Sequence, residues 1–329
     1  MKGIFGKAAA IALICTAGVS QAQDRSLRIA TSVPQDHYLT RSITEFANRV
    51  TEKTDGKVTF EVYPAQSLVT DQQMDQAVAS GVVDIGVGSA SIMAGTVPAL
   101  NIFAVPFYFD TREKLDNSVT IGTPIRDTLD AEIRKTGLNA AFWIPFGSVT
   151  LVMRDKPVRL PQEMVGLKIR SFGATVSKFI ESVGAAPVVT SGGEQFLALQ
   201  RGIVDGGLTG WTSVTGRRLY DVADYVVATD HMYETHFALM SQTMWDSLSP
   251  EVQEIFVATG KELEQELLGD IFEVSAEAKA ELTGKMEVIE LTADEKLAWK
   301  DATKSVAEDF LANSGPIATE IFKEAQKIQ

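Results

Sequence analysis

Two segments of this chain end in nearly the same way. MDQAVASGVVDIG (74–86) and QFLALQRGIVDGG (195–207) each give a helix, a stop glycine, two β-branched residues, an aspartate and a glycine. Each closes a longer block of the same plan. The second block, 165–207, reads as a strand at 167–171, a helix at 175–183, a strand at 186–189, a helix at 194–201 and a strand at 203–208. Val176, Phe179, Ile180 and Val183 share one face of its first helix, and Gly184 and Gly202 stop its helices as residues free to take positive φ do. The first block has a strand at 27–33, a helix with Leu39, Ile43, Phe46, Ala47 and Val50 at helical spacing, and an alternating strand at 57–63. Thr70-x-x-Gln73 then fits a capping box before a helix carrying Met74, Ala77 and Val78, and a strand follows at 82–87. Period 3.6 alternating with short apolar runs is the signature of βαβ units. A repeated βαβαβ block predicts two similar α/β lobes whose strand ends open on one cleft.

The rest of the chain supplies the connections. The apolar run 99–109 reads as core. The apolar run 140–153 predicts a strand crossing from one lobe to the other, and 225–244 a return crossing. Ser249-Pro250 is an N-cap followed by proline at the first helical position. The helical pattern then continues to about Lys279. About thirty residues at helical rise span roughly 45 Å, enough to lie across both lobes. A helical tail, 291–329, is broken at Gly315-Pro316. Residues 1–22 read as a cleavable signal peptide, with Lys2 and Lys7 before a short apolar run and Ser20-Gln21-Ala22 at the cleavage spacing. The expected division is 23–149 plus about 234–275 for lobe I, and 150–233 plus about 276–329 for lobe II.

Charge and residue usage narrow the function. The 329-residue chain carries a formal net charge of −13. Without Lys2 and Lys7, 28 basic residues face 43 acidic ones, which argues against nucleic acid and anionic lipid as partners. The only cysteine, Cys15, lies in the leader, so the mature chain has no disulfide. The three histidines, His37, His231 and His236, have no metal-ligand spacing. No nucleophile elbow or phosphate-binding loop occurs, and Gly86-Val-Gly88 lacks the third glycine of a dinucleotide fingerprint. We read those two glycines as a close approach of backbone to the cleft. Neither an enzyme nor a bound cofactor or metal is expected.

The strand ends do offer a binding inventory, because ligands of open α/β sheets sit beyond the carboxyl ends of the strands. Arg170 ends the first strand of the second block, where a guanidinium suits a carboxylate. From type and position alone, a solvated ion pair is the commoner fate of an arginine. His37 follows the first strand of the chain and Ser89 the third; local turn bonding would also explain both. Asp71 opens a helix, where an acid also serves the helix dipole. Thr209 and Trp211 follow the last strand of the second block, and Trp211 is equally a cavity wall or a core residue.

These residues sit in segments that resemble a known family. GKVTFEVYPAQSL (56–68), ASGVVDIGVGS (79–89), PVRLPQEMVGLKIRSFG (157–173), EQFLALQRGIVDGG (194–207), RRLYDVADYVV (217–227) and MWDSLSPEVQEIF (244–256) look like the DctP family, the solute-binding receptors of TRAP (tripartite ATP-independent periplasmic) transporters. The resemblance covers essentially the whole mature chain. It implies a two-lobed periplasmic receptor, with crossing hinge strands and a long helix over both lobes; a monomer is the separate expectation. Such a receptor closes on an organic acid and delivers it to a membrane permease of two subunits, or serves a signalling partner as its ligand sensor. The resemblance makes Arg170 the carboxylate clamp and adds Asp71, Ser89, Thr209 and Trp211 as contacts, with His231 or Glu234 from the returning hinge. Where some relatives carry a second ligand arginine, Arg154, Lys156 or neither of them fills that role. Thr209 and Ser89 depart from the sialic acid branch, which has asparagine and glutamate at those places. A sugar acid such as a uronate or aldonate is the preferred ligand, ahead of a C4-dicarboxylate or a keto acid.

Overall fold

The computed structural model describes residues 25–109 and 111–327; the expected signal peptide and Cys15 lie outside the described residues. Ten strands form the framework: β1 (Arg25–Ala30), β2 (Val58–Tyr63), β3 (Ile85–Ser89), β4 (Leu138–Met153), β5 (Lys168–Ser171), β6 (Ala186–Val189), β7 (Gly206–Gly210), β8 (Tyr225–Val227), β9 (Tyr233–Ser241) and β10 (Glu287–Ile289). The main path runs β2-β1-β3-β9-β4-β7-β5-β6. In each lobe the first strand of the repeat lies between the second and third, all parallel: β2-β1-β3 in one and β6-β5-β7 in the other. Helices flank the sheet, and the architecture is the expected two-lobed α/β one.

The repeated aspartate explains why the two joints share a sequence. Asp84 accepts the Arg28 N–H at 2.8 Å, and its own N–H reaches the Arg28 carbonyl at 3.0 Å. Asp205 does the same with Lys168, at 2.8 and 2.7 Å. Each carboxylate thus fastens the start of the third strand to the first. Of the two β-branched residues before it, Val82 and Ile203 are exposed, while Val83 and Val204 are buried. The third strands therefore begin later than the apolar runs predict. The capping box is not formed either. Residues Asp71–Gln73 make a 3-10 turn, and the Thr70 hydroxyl meets the Gln73 side chain instead of a backbone N–H.

The crossing strand is β4. Its first part pairs with β9, and Val149–Met153 pairs with β7. A 32-residue helix, Pro250–Glu281, runs alongside. A Cβ on Gly260 would lie 2.9 Å from the Ala141 carbonyl oxygen, and one on Gly147 would lie 2.7 Å from Ser275 Oγ. Between these crossings the helix advances about 22 Å and the strand about 20 Å, so the two stay in contact across the hinge. Among the described residues, no helix is long and apolar enough to cross a membrane.

The C-terminal tail departs from the expected division. Trp299 and Val306 pack with the lobe II residues Ile169, Phe179 and Leu208. Phe310, Ala318, Ile321 and Ala325 instead pack with Phe103, Leu129 and Trp143 of lobe I. The tail crosses back because the helix Gly315–Gln326 carries its apolar face at helical spacing and the 3-10 segment Pro98–Ala104 offers the matching surface.

Candidate functional site

The carboxyl ends of the parallel strands converge between the lobes. Lobe I contributes Ser32 and Val33 after β1, Asp71, Ser89 at the end of β3, and Glu234 and His236 from β9. Lobe II contributes Arg170 and Phe172 from the end of β5, Thr209 from β7, and Arg217. Ser89 lies opposite His236 in the β3–β9 ladder, which aligns the two sets of side chains. Phe146 of β4 forms one apolar wall, packed so tightly on β7 that a Cβ on Gly210 would lie 2.4 Å from its ring. The cavity enclosed by these side chains measures about 30 Å³.

Its central feature is a pair of interior cations without a carboxylate partner among the described residues. Arg170 is buried. Its Nε and Nη2 donate to the Thr190 carbonyl at 3.2 and 3.0 Å, its Nη1 to the Leu208 carbonyl at 2.9 Å, and its guanidinium lies 4.9 Å from the Phe172 ring. These bonds use three of five N–H groups and leave a two-donor fork. Arg217 reaches Gln195 Oε1 and Thr209 Oγ1 at 3.3 and 3.4 Å, while its buried Nε has no protein partner. Neither guanidinium forms an ion pair among the described residues. Burial, with the charge of Arg217 adding to it, pulls the Arg170 pKa down to about 9; burial pulls that of Arg217 down to about 10. Carbonyl oxygens fix a guanidinium in place but do not neutralise it. Such a pair is a ready acceptor for an anion.

Opposite, Glu234 is buried and accepts hydrogen bonds from Ser89 Oγ at 2.6 Å, from the Ser91 N–H at 3.1 Å and from Ser91 Oγ. Burial pushes its carboxyl up, against the pull of these donors. Asp71 spans the cleft: its Oδ2 accepts the Gly192 N–H of lobe II at 2.8 Å. Thr175 donates to Asn101 at 2.7 Å across the same divide.

Five expected residues therefore meet at the cavity: Arg170, Asp71, Ser89, Thr209 and Glu234. Three do not. His37 caps the helix Tyr38–Lys53, its Nδ1 accepting the Leu39 N–H at 3.1 Å, and its Nε2 meets Ser213 Oγ of lobe II at 3.0 Å. Trp211 begins a helix, so its side chain turns away from the cleft; its Nε1 donates to Asp230 and its ring lies under Lys279. His231 is stacked 4.0 Å from Phe179 within the core of lobe II. Arg154 is paired with its neighbour Asp155 outside the cavity, and Lys156 is exposed. Gly86 and Gly88 make room for Met74, Val78 and Leu239 rather than for the cleft. Arg217, His236, Phe146 and Phe172 escaped the sequence reading. For Arg217 the one available signal was a basic pair just after a strand-end helix. Among the described residues, no cluster of His, Cys, Asp and Glu could hold a metal ion.

Gly173 marks where the lobes meet. A Cβ there would lie 2.6 Å from the Ser91 carbonyl oxygen of the opposite lobe. Gly173→Ala is expected to disfavour closure and weaken ligand binding by about tenfold or more, the size of a small strain in a packed contact. Small-angle scattering should show a larger saturated particle with no change in the melting temperature of the unliganded protein. Unchanged affinity would exclude this contact from closure.

Burial holds all three histidines neutral, with His37 lowered well below its ordinary value and His231 and His236 pulled down to about 3. On acidification the unfolded chain takes up these protons first, near pH 6.5. This stability is therefore present above about pH 6.5 and is lost as pH falls towards 3, by up to ~1.4 kcal/mol per unit per histidine. Asp75, raised to about 6 by burial, acts in the opposite sense: its contribution is present below its unfolded value and is lost as pH rises through about 6. Urea unfolding at pH 7, 6 and 5 should lose nearly one proton of pH dependence in His231→Phe; an unaltered slope would contradict the assignment.

A sheet carried between two lobes by crossing strands, a helix laid along the crossing, and a cleft holding unpaired interior arginines define a two-lobed binding protein. The chain matches the family model for bacterial extracellular solute-binding protein, family 7 (DctP), over residues 29–314, and it belongs to that family. It is 30% identical over 274 residues to the uncharacterized protein y4mM of Sinorhizobium fredii, covering 82% of this chain and 50% of that one, so it spans half the length of that relative. It is 26% identical to the C4-dicarboxylate-binding periplasmic protein DctP of Vibrio cholerae, covering 81% and 80% of the two chains. A TRAP periplasmic solute-binding protein from Sulfitobacter sp. NAS-14.1, solved with bound β-D-galacturonate, superimposes with a TM-score of 0.83 at 25% identity, covering 91% and 98%.

Proposed function

We propose that this chain is the periplasmic receptor of a TRAP transporter. It binds a small hydroxylated monocarboxylate, in chemistry a sugar acid, and hands it to a membrane permease. The observation that carries this reading is the pair Arg170 and Arg217, two interior guanidiniums in one cleft with donors to spare and, among the described residues, no carboxylate paired to either. The ligand carboxylate takes the two free N–H groups of Arg170 and the Nε of Arg217. Thr209, Asp71, Ser89, Glu234 and His236 face the hydroxylated remainder, with Phe146 and Phe172 against its carbon skeleton. The galacturonate complex of the Sulfitobacter protein supports the same ligand class.

A thermal-shift panel of aldonates, uronates, keto acids, dicarboxylates and amino acids on the mature protein tests this. A ligand at a hundred times its Kd stabilises the fold by about 2.7 kcal/mol, a readily measured shift. The reading predicts the largest shifts from sugar acids. Shifts from amino acids alone would overturn it.

A further inference from the structure

We propose that Glu234 sets the charge of the ligand: it accepts a ligand hydroxyl at the lobe I end of the cleft and excludes a second carboxylate from that end. This rests on the reading of the cleft as an acid-binding site.

The cleft is polarised. Both unpaired cations, Arg170 and Arg217, come from lobe II, whereas lobe I presents Glu234, Ser89, Ser32 and the neutral His236. A carboxylate held by the arginines leaves the other end of the ligand facing lobe I. There Glu234 is the ionisable acceptor, beside the Ser32 hydroxyl and the His236 imidazole, which can donate or accept. Ser89 and Ser91 both donate their hydroxyl hydrogens to Glu234, so neither is free to donate to a ligand. Glu234 also takes the Ser91 N–H, and the Ala90 N–H beside it further favours its charged form. Glu234 lines the cavity and an ionised carboxylate offers acceptors alone, which suits an O–H there better than a second carboxylate.

Charge points the same way. Two basic side chains, Arg170 and Arg217, and two acidic ones, Asp71 and Glu234, line the cleft. One ligand carboxylate takes the arginines. A second would lie beside Glu234, in an interior where like charges are poorly screened. Ser89 and Ser91 cannot relieve this without giving up their bonds to Glu234.

Matched acids differing only at the far end provide the test: D-galactonate with galactarate, and erythronate with meso-tartrate. Each pair exchanges a terminal CH2OH for a carboxylate. Calorimetric titration of the mature protein at pH 7.5 should give the monoacid an advantage of about a hundredfold or more, as like-charge juxtaposition gives. Glu234→Gln keeps an acceptor oxygen and removes the charge. It should cut the advantage at least about tenfold, mainly by tighter diacid binding. Equal or tighter diacid binding by the wild-type protein overturns the proposal, and so does an undiminished ratio in a folded Glu234→Gln protein. The wild-type comparison needs no variant. If folded protein binds none of the four acids, the sugar-acid reading itself fails, and this assignment with it. If it binds them without preference, only the role of Glu234 fails.

Discussion

Replacing Arg170 with alanine should weaken binding of the cognate acid by about a hundredfold to a few thousandfold, the cost of leaving one charge of an interior pair unmatched. Arg170 is buried, held by the Thr190 and Leu208 carbonyls, and has no carboxylate partner among the described residues. Without ligand, burying that charge costs stability. The unliganded Arg170→Ala protein should therefore melt no lower than the wild type, despite the two carbonyls it releases. Loss of binding without loss of fold separates a binding residue from a structural one. Arg170→Lys keeps the charge but not the planar fork, and should recover only part of the affinity. Calorimetry and thermal melts on the three proteins decide this. Wild-type affinity in Arg170→Ala would place the carboxylate elsewhere.

The second large effect lies outside the cleft, where the long helix is fastened to lobe I. Glu264 of the helix Pro250–Glu281 is buried and takes both Nη groups of Arg126, which belongs to the helix Pro124–Lys135. It also accepts the Trp143 N–H of β4 at 2.8 Å. Asp130 completes the network, accepting from Arg126 Nε and Trp143 Nε1, each at 2.9 Å. The guanidinium lies 4.2 Å from the centre of the Trp143 ring. Glu264→Ala strips a buried arginine of its main partner and leaves a strand N–H unpaired. The expected loss of stability is about 3–5 kcal/mol. Glu264→Gln keeps an acceptor for Trp143 and should cost less. Urea unfolding of both variants checks the order. A loss below about 1 kcal/mol for Glu264→Ala, the size of an exposed pair, would contradict it.

The repeat was legible because its parts are local. A strand, a helix and a stop glycine are each written within a few residues, and Asp84 and Asp205 perform the same clasp in both lobes. The place of Arg170 was legible for the same reason, since the end of a parallel strand is a position that sequence reveals, but its role as a clamp came only from the family resemblance. Arg217 was not. It follows the helix Trp211–Gly216, and its guanidinium returns to the cleft past Gly192, where a Cβ would lie 2.3 Å from Nη2. No periodicity encodes a side chain that doubles back. Trp211 misled by proximity: it follows β7 directly but starts a helix, which directs its ring towards Lys279. His231 misled as a polar residue near the hinge, although stacking on Phe179 holds it as a neutral core ring. The final helix rejoins lobe I through tertiary packing that no boundary residue announces.

The central claim is that the two arginines of lobe II hold the ligand carboxylate. The most direct measurement is a crystal structure of the mature protein with the acid giving the largest thermal shift. The carboxylate oxygens are expected within about 3 Å of the Arg170 Nη atoms and Arg217 Nε, with hydroxyls directed to Glu234. A carboxylate seated against Ser89 and Glu234, or an acid bound outside the inter-lobe cleft, would contradict it.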